Sequence, residues 1–367
     1  MTDLVVNIER KRLFPGYDGI TCKDVPNLWA NEQGVFLSWG ITNLKESDVM
    51  RGGEMSVSRD NGNSFSTPEP TNEIRYREGN VEYSYFGCVD GLSKKYGLPF
   101  SMGVIKAMTD GKLSPSILHE CYYVFRDVKT GKYVGKPKLL PFPIDSPSIA
   151  PHGQPIEFEN GDFLFTFYFA DKILQKKLSI IAIRYSFNGE EFKIEEVGAP
   201  ISNPSLARGL CEPSVVNFNG KYYMTIRTDE KAMFATSVDG LTYTTPIDFV
   251  WDNGEQIGSE NTHQRWIRHD SSLYLVYTRK GANNDHVFRH RAPLFLAEFD
   301  TNSNCLIKDT EIILVPELGA GLAGMIAVWE ISKNESYVAV AEVMQYENCE
   351  KYGSDNSIWL VKVSSKS

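Results

Sequence analysis

Short apolar runs recur along this chain, and none is long enough to be an ordinary helix: GVFLSWGI (34–41), EMSVS (54–58), ECYYVFRDV (120–128), DFLFTFYFA (162–170), SIIAIRYSF (179–187), KYYMTIRT (221–228), SLYLVYT (272–278), LFLAEFD (294–300), SYVAVAEV (336–343) and SIWLVKV (357–363). Their aromatic and β-branched side chains pack well on a pleated surface, and most runs end at Gly, Asn, Asp or Pro. Several are joined through Asn160-Gly161, Asn188-Gly189, Asn219-Gly220 or Asp239-Gly240. Such dipeptides supply the positive φ values that tight hairpin turns need. The chain therefore reads as all-β, built from antiparallel hairpins. No Pro/Ser-rich linker or charge block interrupts the pattern, so residues 1–367 read as one repetitive domain.

Composition narrows the partners. The 367 residues are 42% hydrophobic, enough for a large core, and the net charge of −9 argues against a phosphate track for nucleic acid. The six cysteines are scattered without zinc-like spacing and read as buried thiols. His286 and His290 stand four apart, a spacing that joins two metal ligands only on a helix; neither a metal nor a cofactor is expected. The start, MTDLVVNIERKRLF, has no apolar leader region, and no apolar run is long enough to span a bilayer. The expectation is no membrane, a cytoplasmic location as the sequence stands, a periplasmic or secreted one if a leader was removed, and a monomer or small homo-oligomer.

One turn carries more information than the rest. Residues 58–65 read SRDNGNSF; a shortened version recurs as SVDGLTY (237–243) and a degenerate one as SFNGEEF (186–192). In each, an Asp or Asn can accept the turn's own N–H groups, Gly takes the left-handed position, and an aromatic closes the turn onto its sheet. SRDNGNSF resembles the Asp-box (BNR) repeat of the sialidase superfamily, whose sialidases are six-bladed β-propellers. Six blades would take about 61 residues each, suitable for four short strands and their loops. The closer spacing of Ser186 and Ser237 leaves a seventh blade open.

The resemblance implies a site. In EPSVVNFNGKYYMTIR (212–227), Glu212 and Arg227 stand where sialidases carry a buried Glu and a carboxylate-gripping Arg. Arg289 and Arg291 precede a strand where a last such arginine is expected, and Asp48 lies in the region of the acid Asp. Two positions depart from the family. Asp24 of Asp24-Val25-Pro26 stands in place of the first arginine, where it would repel a carboxylate. The segment GAGLAGMIAVWEIS (319–332) offers no nucleophilic Tyr. A typical sialidase is thereby disfavoured.

The expected activity is exo-acting glycoside hydrolysis on a terminal acidic or substituted sugar. Asp48, Glu212 and Asp285 are candidate carboxylates, and His263 or His286 a histidine alternative. Arg227, Arg279, Arg289 and Arg291 would orient a carboxylate or sulfate, with Arg208, His152, Gln154, Gln264 and Asn284 completing the substrate contacts. An alternative is β-elimination on uronic-acid glycans, with His152, His263, His286 and Tyr277 as base and acid; another is a non-catalytic carbohydrate-binding propeller. Geometry discriminates among them. Glu212 and Asp48 at carboxylate-pair separation would mark hydrolysis, a His and a Tyr facing the arginines would mark elimination, and scattered groups would mark binding.

Overall fold

The computed structural model describes residues 6–44, 49–114, 120–174, 177–318, 321, 323–344 and 349–366. Six antiparallel sheets follow one another around an axis, each led by an innermost strand: Thr21–Asn31, Val81–Ser93, Ile149–Glu157, Cys211–Phe218, Arg265–Arg268 and Ile326–Ser332. These are blades 1 to 6 of a β-propeller, and the seventh blade that the turn spacing left open is absent from the described residues. Blade 6 is completed from the far end of the chain. Its outermost strand is Val6–Leu13, paired with Ile358–Ser365 from Val6 opposite Ser365 to Leu13 opposite Ile358. Among the described residues there is no α-helix, only three 3-10 turns, and no helix long and apolar enough to cross a membrane.

The apolar runs become strands with both faces covered. Phe163–Ala170, the second strand of blade 3, is buried almost throughout. Its Phe163, Phe165 and Phe167 join Phe100 of blade 2 and Phe187 and Phe192 of blade 3 in one aromatic wedge. Trp29, Trp251 and Trp266 are likewise buried in packing, while Trp329 borders the axis. The cysteines are free thiols, five of them buried and Cys88 half-buried.

Two repeated local devices fix the frame. The first is the turn between third and fourth strands. In blade 1, Asp60 Oδ1 accepts from Ser58 Oγ and from the Ser64 N–H, both at 2.8 Å, while the Gly62 N–H donates to Ser58 Oγ at 2.7 Å. Asp239 and Asn188 do the same work in blades 4 and 3. Asp127 in blade 2 and Asp300 in blade 5 accept from their turns as well, which the sequence pattern had not revealed. Blade 6 has no such turn because its last two strands come from opposite ends of the chain.

The second device is a bulge in the innermost strands of blades 1 to 4. Register breaks fall between Asp24 and Asn27, Gly87 and Val89, His152 and Ile156, and Cys211 and Ser214. The backbone is left-handed there at Val25 (φ 45°), Gly153 (φ 86°) and Glu212 (φ 47°). For a non-glycine residue that conformation costs about 1 kcal/mol, and such strain gathers at functional sites. These bulges all lie at one end of the axis, the mouth, and turn side chains toward it.

Candidate functional site

At the mouth, blade 4 supplies the central charge pair. Arg227 ends the second strand directly opposite Cys211, so the bulged Glu212 sits beside it. Glu212 Oε1 accepts from Arg227 Nη1 at 2.6 Å, with both side chains largely removed from solvent. Burial by itself would raise the Glu212 pKa. The Arg227 charge and the neighbouring histidines outweigh it and hold the carboxyl well below its usual range. Glu212 is therefore an anion at neutral pH and cannot be the acid of a hydrolytic reaction.

Two histidines flank this pair, their rings 4.9 Å apart. His263 Nε2 accepts the Ile326 N–H at 3.0 Å, which places the neutral ring's proton on Nδ1, facing Glu212 Oε2 at 3.7 Å. Burial, then the Arg265 charge, pushes its pKa down to about 4. His152 Nδ1 lies 3.2 Å from the Pro213 carbonyl, so Nδ1 carries its proton and Nε2 keeps the lone pair. Burial and Arg265 hold the His152 pKa well below 6.5. Arg265 Nη1 and Nη2 each lie 3.4 Å from a His152 nitrogen, long for hydrogen bonds, with Nη2 directed at the Nε2 lone pair.

The remaining cations have little counter-charge. Arg265 is buried, donates to the Gln264 carbonyl, and is pushed down to about 10 by burial. Arg291 donates to the Asn261 carbonyl from Nε and Nη2 and is also pushed down to about 10, by burial and then by the Arg227 charge. The buried Asp24 of blade 1 partly offsets Arg291. It occupies the mouth where the resemblance expected the first arginine. Tyr168, opposite Ala150 in blade 3, stands with its ring 6.2 Å from that of His152. Burial, then Glu212, raises its pKa well above 10, so the phenol stays protonated. Below the mouth a cavity of about 220 Å³ runs between the inner strands, bordered by Gln154, Arg265 and Trp266.

His152, Glu212 and His263 have ligand-type atoms within 4.8 Å of one another, the spacing of a metal triad. The chemistry does not fit one. A ring whose Nε2 already accepts a backbone N–H would have to lose its Nδ1 proton to bind a cation, and the buried guanidinium groups of Arg227 and Arg265 with the half-buried one of Arg291 lie around the position. The field favours an anion.

The sequence-derived residues divide into those brought together and those kept apart. Glu212, Arg227, His152, His263 and Arg291 converge. Gln154 Oε1 accepts the Trp266 N–H and Gln264 donates to Ser259, so both brace the entry to blade 5. Arg208 is half-exposed, 3.7 Å from Asp229. Tyr277 and Arg279, expected as acid and anion binder, are instead committed to Glu311, with the Tyr277 hydroxyl at 2.6 Å and Arg279 Nε at 2.7 Å. Asn284 is buried and donates to the Arg279 and Ala292 carbonyls, pinning the loop that carries Arg291. On that loop Asp285 is 93% exposed beside His290, His286 faces Glu317, and Arg289 lies open to solvent, which removes all three from the central cluster. Asp48 lies outside the described residues. Arg265 and Tyr168 were not among the expected site residues: Arg265 stands among many polar neighbours in residues 261–295, and Tyr168 sits in a run that reads only as core.

Blades, bulges and mouth together define a six-bladed β-propeller. No protein-family model matches the chain, and no curated protein matches it. Among solved structures, a Dyadobacter fermentans protein of unknown function shares the fold with a TM-score of 0.70 at 16% identity, over 98% of this chain and 99% of that one. The Hadza microbial sialidase Hz136 matches with a TM-score of 0.62 at 13% identity, over 94% of this chain and 66% of that one. Trypanosoma rangeli sialidase in complex with sialic acid matches at 0.56 and 13% identity, over 98% of this chain but only 59% of that one. At these identities the likeness is one of fold.

Proposed function

We propose that the mouth grips the carboxylate of a uronic-acid residue and that the protein cleaves the neighbouring glycosidic bond by β-elimination. One observation carries this reading: a histidine whose Nε2 is unprotonated and met by Arg265 at a long 3.4 Å, together with a protonated tyrosine, adjoins arginines that hold more positive charge than their carboxylates balance. Arg227, Arg265 and Arg291 would neutralise the sugar carboxylate and so acidify the adjacent C5 proton. His152 Nε2 takes that proton. The electron pair forms the C4–C5 double bond, the C4–O bond breaks, and Tyr168 protonates the departing oxygen. The products are an unsaturated uronate and a glycan ending in a free hydroxyl. The incoming carboxylate also brings negative charge beside His152, which raises its basicity at the moment it is needed.

Hydrolysis at a terminal acidic or substituted sugar is the second reading, favoured by the sialidase fold and by the Glu212–Arg227 pair. It requires a protonated acid in the mouth, a role that ionised Glu212 does not fill. The two readings separate on a panel of uronides, sialosides, rhamnosides and sulfated glycans. Elimination produces the ultraviolet absorbance of an unsaturated uronate along with the new chain end, whereas hydrolysis produces reducing ends alone. Binding of acidic sugars without either signal would leave a lectin-like propeller.

A further inference from the structure

Glu212 and Arg227 form an incomplete pair. A carboxylate and a guanidinium in contact commonly make two parallel hydrogen bonds, yet here only Oε1 and Nη1 meet, at 2.6 Å. Among the described residues, Glu212 Oε2 and Arg227 Nε are both buried without a hydrogen-bond partner, and Nη2 has Asp229 at 3.7 Å. Leaving a buried carboxylate oxygen unpaired is costly, and turning Oε2 onto Nη2 would complete the two-bond arrangement, so something must keep Oε2 away from it. The left-handed backbone at Glu212 sets the direction of the side chain, but rotation about its last bond is free to turn Oε2.

His263 supplies the restraint. Its Nδ1–H faces Oε2 at 3.7 Å, and on the opposite edge of the ring Nε2 is anchored by the Ile326 N–H at 3.0 Å. The ring is 5% exposed and packed edge-on against His152, so it has little freedom to swing. Because Nε2 is occupied as an acceptor, no lone pair remains to receive a substrate proton. We infer that His263 is a positioning residue, which holds Glu212 in a single contact with Arg227 and thereby keeps Nη2 of that guanidinium available to a sugar carboxylate. This rests on the carboxylate-binding reading above. Without His263, Glu212 turns its second oxygen onto Arg227 and closes the fork that the substrate needs. The device spans three blades: Glu212 from blade 4, His263 from the entry to blade 5, and Ile326 from the start of blade 6.

Three substitutions separate this role from a merely structural one. In His263→Asn, the side-chain amide takes roughly the place of Nδ1 and still donates toward Glu212, but nothing accepts the Ile326 N–H. In His263→Gln, the carbonyl oxygen reaches toward Ile326 and nothing is offered to Glu212. His263→Ala does neither. The measurement is glucuronate affinity by calorimetry at neutral pH, with thermal unfolding in parallel. Asn should bind within about twofold of the parent, and Gln and Ala about tenfold more weakly, the loss of one charge-assisted contact. The reverse ranking, with Gln like the parent and Asn weakened, would make His263 a brace for blade 6 and overturn the inference. Equal affinities in all three would overturn it too. Arg227→Ala is the control: if it abolishes binding while every His263 variant binds normally, only the inference falls. If it leaves glucuronate binding unchanged, or the parent protein binds none, the carboxylate-binding reading falls first and takes the inference with it.

Discussion

At the scale of single residues, the mouth is organised by who neutralises whom. Burial and then the Arg265 charge keep the His152 imidazole uncharged, and the Ile326 N–H fixes which nitrogen of His263 carries its proton. Two predictions follow from these placements. His152→Ala and Tyr168→Phe should each lower the rate of glycan cleavage by about a hundredfold or more while glucuronate affinity stays within a few fold. Steady-state rates together with calorimetry test this, and rates unchanged in either variant would remove that residue from the chemistry. The second concerns pH. His263 titrates near 6.5 when unfolded and about 4 when folded, so between these values the unfolded chain binds the extra proton and stability falls as pH falls. The displacement corresponds to about 3 kcal/mol at most. Glu212, held ionised in the folded state, adds a loss of the same sign below pH 4.5. Denaturant midpoints should therefore decline from about pH 6.5 downward, and a flat profile across that range would contradict the buried neutral histidine.

Among elements, the turns and bulges divide the labour. The Asp turns sit at blade edges and satisfy themselves, so they lock hairpin geometry without touching the mouth. Gly62 shows how tightly: its φ is 73°, and a Cβ there would lie 3.3 Å from the Tyr337 ring and 3.4 Å from Leu360. Tyr337 in turn donates to the Asn61 carbonyl at 2.7 Å, tying blade 1 to blade 6. Gly62→Ala should cost about 1 kcal/mol in chemical denaturation and leave glucuronate affinity unaltered. A change in affinity would mean that this edge communicates with the mouth. SRDNGNSF was legible as a turn because every group it needs lies within eight residues. Tyr168 was illegible because FLFTFYFA has the pattern of a buried strand, and only its place opposite Ala150 brings it to His152.

For the whole molecule, closure is the governing feature. The strand Val6–Leu13 completes blade 6, and from it Arg12 makes two hydrogen bonds to Glu342, at 2.8 and 3.0 Å. Removing residues 1–13 would bare the full edge of Ile358–Ser365 and strip blade 6 of its outer partner. The truncated protein should unfold at a temperature lower by 10 °C or more, roughly the effect of losing a few kcal/mol, and should associate on size exclusion. A monomer with the parent melting temperature would show that the N-terminal strand is dispensable.

What the sequence determined by itself was whatever depends on near neighbours. Alternating apolar runs, Asn-Gly dipeptides and the Asp turns declared antiparallel blades, and the positions of Glu212 and Arg227 around one hairpin put them within reach of each other. Even so, it credited Tyr277, Arg279, Asp285 and His286 with the mouth on their polarity alone. The tertiary structure decided otherwise, committing Tyr277 and Arg279 to Glu311 and leaving Asp285 in solvent. It also brought His152, Glu212 and His263 together from three blades. Their protonation is set by burial and by charges far away in sequence, and those exist only once the ring of blades has closed.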